Sequence, residues 1–192
     1  MKKLFVAAGI IAIAALSTTV NAQQTKLGVK GGVSLTGVSN LSGKVRTTGH
    51  GGLFLQTSIN KNWKFQPELI YSAQGQHFTD VFNEKRLLSL EYIQAPLMLQ
   101  YYPVGNIYVE AGPQVGLLIN SKTNDTKDGG DIIYPEEKYR KVDVGINAGV
   151  GINFTNHIGL YGRYTQGFVD IVKSPDLYRT NHGIQIGAAI KF

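Results

Sequence analysis

The stretch VDVGINAGVGINF, residues 142–154, alternates without an exception. Val142, Val144, Ile146, Ala148, Val150, Ile152 and Phe154 are apolar, while Asp143, Gly145, Asn147, Gly149, Gly151 and Asn153 are small or polar. Successive side chains of an extended chain point to opposite faces, so this period of two marks a strand with one apolar and one polar face. A helix would need apolar positions every three to four residues. The composition of the polar face decides which kind of strand it is. A water-washed face would favour Thr, Lys and Glu. Here it is mostly Gly and Asn, as expected where side chains must fit inside a narrow closed barrel. The apolar face then points outward, to lipid.

Seven more segments carry the same pattern, at about 25–38, 50–60, 63–72, 87–102, 106–119, 158–168 and 182–192. In the first, Leu27, Val29, Val33 and Leu35 oppose Lys26, Gly28, Lys30, Gly32 and Ser34. In the fourth, Ile93, Ala95, Leu97, Leu99 and Tyr101 oppose Gln94, Pro96, Met98 and Gln100, but Leu88 and Leu90 fall in the other phase. If apolar means lipid-facing throughout, that slip predicts a β-bulge near Tyr92. Each segment approaches the ~9–11 residues that a tilted membrane strand needs. The connections alternate strictly. Asn60-Lys61-Asn62, Pro103-Val104-Gly105 and Thr155-Asn156-His157 are short; 39–49, 73–86, 120–141 and 169–181 are long. Bacterial barrels have short periplasmic turns and longer extracellular loops. The fold expected is all-β: an eight-stranded antiparallel up-and-down transmembrane barrel with both ends periplasmic. A soluble lipocalin-like barrel is the alternative.

Residues 1–22 read as a cleaved signal peptide: Lys2 and Lys3, an apolar run over 4–16, then Val20-Asn21-Ala22. The run is shorter than the ~20 residues of a spanning helix. Residues 23–192 form the barrel domain, with the mature chain starting near Gln23. Its removal lowers the formal charge from +6 to +4. The basic residues are scattered, which argues against nucleic acid as a partner. There is no Cys, so stability must come from burial and sheet closure rather than disulfides.

The segments LGVKGGVSLTGVSN, GLFLQTSINKNWKFQPELIYSAQG, YIQAPLMLQYYP, IYVEAGPQVGLLI and DVGINAGVGINF resemble the PorT-like, porin-family outer-membrane β-barrel domain proteins common in Bacteroidetes. The resemblance runs in order over the whole expected mature chain. It implies an outer-membrane barrel of OmpA/OmpX-like size and no particular activity.

Seven charged residues fall on the inward phase: Lys30, Lys64, Glu68, Glu110, Asp143, Arg163 and Lys191. An eight-stranded barrel is only wide enough for side chains to fill it, so mixed signs predict an internal network of paired charges. Glu110 and Arg163, each mid-strand, are its expected centre. A narrow ion path is the alternative reading. Catalytic and metal signals are weak. Ser72, His77 and Asp80 are only loosely grouped, and NDTKDGGD (residues 124–131) does not keep EF-hand spacing. No enzyme activity and no cofactor are expected. Two aromatic belts are expected at the membrane interfaces, Trp63, Phe65, Tyr101, Tyr102 and Phe154 at the turns, and Tyr71, Tyr164 and Phe168 toward the long loops. The terminal Phe192 resembles the signal read by the barrel-assembly machinery. The expected role is a monomeric structural or interaction protein of the outer membrane, meeting an extracellular or envelope partner through its long loops. A porin-like channel or a secretion-accessory barrel is the alternative.

Overall fold

The computed structural model describes residues 25–39, 43–79, 85–125, 131–132, 140–171 and 179–192. The expected signal peptide lies outside them, as do Asp80 and most of NDTKDGGD. The strands are β1 (Thr25–Val38), β2 (Gly43–Ser58), β3 (Trp63–Thr79), β4 (Lys85–Val104), β5 (Ile107–Asp125), β6 (Asp131–Ile132), β7 (Val142–Asn153), β8 (Ile158–Gly167) and β9 (Asn181–Lys191). All pairings are antiparallel. The eight long strands follow the order β4-β3-β2-β1-β9-β8-β7-β5, and β4 pairs with β5 to close the ring. The first and last strands meet along Gly28↔Lys191 to Val38↔Asn181. The two-residue β6 only extends β5 beyond the end of β7. Closure leaves none of the long strands with an unpaired edge, which is the condition for crossing lipid.

Around the middle of the barrel the apolar residues face out. On β7, Val144, Ile146 and Val150 are exposed while Asp143, Gly145 and Asn147 are buried. The outer belt residues Trp63 and Tyr101 stack with ring centroids 4.8 Å apart. Tyr71, Tyr164 and Phe168 are exposed on the same outer surface. Tyr102 does not join the belt. It is buried in the lumen against Tyr108, centroids 5.2 Å apart, because it occupies the inward phase of β4.

Toward the long loops the polarity inverts on β4. β4 does not slip phase: Leu88, Leu90, Tyr92, Gln94, Met98 and Gln100 are all buried on one continuous inward face. Leu88, Leu90 and Tyr92 pack with Val38 and Ile171, with Leu118 against them. The register shift near Tyr92 lies in the partner strand. Glu91 pairs with Asn120 and Tyr92 with Leu118, so β5 carries the extra residue, Ile119. The change of medium explains the inversion. β3, β4 and β5 have 17, 20 and 19 residues, well beyond the ~9–11 that span the bilayer. Where the wall rises above lipid, water lies outside, and apolar side chains gain by turning inward. The switch between Glu91 and Ile93 on the outer face of β4 therefore marks the level of the membrane surface.

Inward glycines let neighbouring strands approach. A Cβ on Gly112 would lie 1.9 Å from the carbonyl oxygen of Leu97 on β4. Gly75 on β3 adopts φ +137°, and a Cβ there would lie 2.0 Å from the Leu88 carbonyl oxygen.

Candidate functional site

Four strands each send one charged side chain to the centre of the lumen: Lys30 from β1, Glu68 from β3, Glu110 from β5 and Arg163 from β8. All four are at most 6% exposed. The Arg163 guanidinium is the hub. Its Nη1 and Nη2 donate to Oε2 and Oε1 of Glu68, both at 2.8 Å. Its Nε and Nη2 donate to Oε1 of Glu110 at 2.9 and 2.7 Å. Lys30 Nζ donates to Oε1 of Glu68 at 3.0 Å and lies 3.9 Å from the centre of the Tyr161 ring. Gln66 and Gln100 complete the carboxylates, at 2.8 Å to Glu68 Oε1 and 2.9 Å to Glu110 Oε2. Two cations and two anions sum to zero, and the planar fork of Arg is the donor that can hold two carboxylates at once. Charges this deep are tolerable only when paired and hydrogen-bonded.

Polar residues continue the filling on both sides. Toward the short turns, Gln56 donates to Gln66 and Gln100 at 2.9 and 2.8 Å, and the Tyr102 hydroxyl donates to Gln100 at 3.2 Å. Beside the hub, His50 Nδ1 lies 2.8 Å from the Ser34 hydroxyl, and its Nε2 hydrogen-bonds the Tyr161 hydroxyl. Toward the long loops, Thr165 donates to Asn147 at 2.7 Å, and Asn147 donates to Gln114 at 3.0 Å.

Of the seven inward charges read from sequence, Lys30, Glu68, Glu110 and Arg163 meet; the other three do not. Asp143 sits near the long-loop end beside Asn181, at 3.4 Å. Lys64 and Lys191 lie at the opposite mouth, Lys64 over the Tyr102 ring at 4.3 Å and Lys191 donating to Asn153 Oδ1 at 2.6 Å. Height along the barrel separates them from the hub. His50 and Tyr161 were missed as partners in the cluster. Their positions on the inward phases of β2 and β8 were the available signal. Ser72 is buried in the lumen and His77 is exposed, so these two do not converge. Phe192 is exposed outside the barrel, its backbone N–H donating to the Leu27 carbonyl at 2.8 Å.

A closed eight-stranded barrel with an apolar waist, an aromatic outer surface and a salt-bridged lumen is a small outer-membrane β-barrel protein. The chain belongs to the outer membrane protein beta-barrel domain family, whose model matches residues 21–173. Among solved structures it is similar to Neisserial surface protein A (NspA), at 13% identity and a TM-score of 0.57, covering 88% of this chain and 97% of that one. It is also similar to Ail, the attachment invasion locus protein of Yersinia pestis, at 12% identity and a TM-score of 0.51, covering 88% and 98%. At such identities the likeness is one of fold. Among curated proteins no sequence matches it.

Proposed function

We propose that this protein is a closed, non-conducting barrel that acts as a structural or interaction protein through its long-loop end. The single observation carrying this reading is the neutral Lys30–Glu68–Arg163–Glu110 plug, which spans the lumen with no carboxylate oxygen left unbonded. An ion crossing this level would have to part a bidentate Arg–carboxylate pair in a low-dielectric interior. The tall wall of β3, β4 and β5, stiffened by the apolar cluster inside it, supports display above the membrane. In this reading the termini and short turns face the periplasm, and Phe192 serves the barrel-assembly machinery. Planar-bilayer recording of the purified protein tests it. Wild type is expected to give no resolved conductance steps. Reproducible ohmic, ion-selective steps from wild type would overturn the closed reading and favour a narrow channel.

A further inference from the structure

The mouth at the short-turn end is open and one-signed in charge. A cavity of about 150 Å³ lies there, lined among others by Lys26, Lys61, Lys64 and Lys191. Among the described residues that line it there is no Asp or Glu. The sequence accounts for this: residues 25–30, 58–65, 100–108, 153–158 and 190–192 contain no acidic side chain. The nearest inward carboxylates, Glu68 and Glu110, are already held by Arg163 and Lys30.

Three of the four lysines have a defined neutral neighbour, while Lys61 is exposed on the turn. Lys191 is 5% exposed, and its Nζ is fixed by Asn153 Oδ1 at 2.6 Å. Lys64 is seated over the Tyr102 ring at 4.3 Å, and Lys26 donates to the Asn156 carbonyl at 3.3 Å. None of these contacts supplies a negative charge. A buried ammonium with only a neutral acceptor is expensive, and three like charges facing it add to the cost. An anion in the cavity would offset both terms. A pocket lined by one sign of charge with low-dielectric walls also concentrates counter-ions. With about 30 Å³ for each water of liquid volume, the cavity has room for about five waters, enough for a phosphate-sized oxyanion. Lys suits such a ligand as a compact point charge with three donors.

We infer that the short-turn mouth is a binding site for a multivalent phosphate-type oxyanion, held by Lys26, Lys61, Lys64 and Lys191. This holds whether or not the barrel is sealed, because the site lies on one side of the plug. The group could be a free phosphate or the headgroup of a phospholipid.

Isotope-labelled full-length protein in a phosphate-free maltoside detergent, titrated with pyrophosphate at low salt, is the test. Saturable amide shifts are expected at Gly105, Asn106, Asn153 and Asn156. Lys64→Gln and Lys191→Gln should each weaken binding about tenfold, by loss of one charge-assisted contact. Lys61→Gln, an exposed turn position, covers the case in which Lys191→Gln fails to fold. Lys44→Gln, on β2 near the opposite end, should leave binding unchanged. Bilayer discs of phosphatidylcholine with and without phosphatidylglycerol separate the two sources. If phosphatidylglycerol alone shifts the same amides and blocks pyrophosphate, the headgroup is the ligand; if it does neither, the ligand is a free anion. Absence of saturable shifts at millimolar pyrophosphate, or equal weakening by Lys44→Gln, would overturn the site.

Discussion

Arg163→Met removes the hub of the lumen cluster while keeping a long apolar stem. It deletes four charge-assisted hydrogen bonds, two to each of Glu68 and Glu110, at 2.7–2.9 Å. The side chains involved are at most 2% exposed, so water cannot replace the lost donors. Two carboxylates then face one Lys30, and the cluster carries a net charge of −1. Removing one partner of a buried ion pair costs about 3–5 kcal/mol. Glu110→Gln alone leaves the opposite imbalance and should cost a similar amount. The double variant Arg163→Met/Glu110→Gln leaves Lys30 paired with Glu68 and restores neutrality. Its expected loss is about 2–4 kcal/mol, well below the sum of the singles, which is a coupling of at least about 2 kcal/mol. Urea unfolding in lipid vesicles measures this, using the fluorescence of Trp63, the single tryptophan, at the outer surface. A loss below about 1 kcal/mol for Arg163→Met, or a double variant equal to the sum of its parts, would refute the picture of a dry, interdependent plug.

Ile146→Arg places a charge on the lipid face of β7 and should cost about 2–4 kcal/mol in vesicle refolding; a neutral outcome would mean that this face is not in hydrocarbon. Leu90→Ala, in the apolar cluster above the membrane, should cost about 2–5 kcal/mol in the same unfolding measurement, as a cavity in a soluble core does. If Leu90 faced lipid instead, the loss would be small. Gly112→Ala brings a methyl to 1.9 Å from the Leu97 carbonyl oxygen and should cost about 1–3 kcal/mol as β4 and β5 part, read as a lower temperature of heat-modified gel mobility.

Two of the expected long connections, 39–49 and 73–86, are largely strand, because β2 starts at Gly43 and β3 runs to Thr79 where the wall rises past the membrane. The strand count and the two faces of β7 were legible in the sequence. They depend on period two and on turn residues, which are local properties of the chain. The inward phase of Lys30, Glu68, Glu110 and Arg163 was legible for the same reason. Their meeting was a matter of tertiary structure. Alternation assigns a side chain to a face, whereas its height and bearing inside the barrel follow from strand tilt and register. That is why Lys64, Lys191 and Asp143, equally inward by pattern, lie at the two ends, and why His50 finds Tyr161 from 111 residues away. The Leu88-Leu90 phase was misleading as a sign of a bulge in β4, because an apolar face turns to lipid within the membrane and to the interior above it. The sequence carries the period of the pattern. The medium on each side of the wall sets its sense, and only the closed barrel shows where lipid gives way to water.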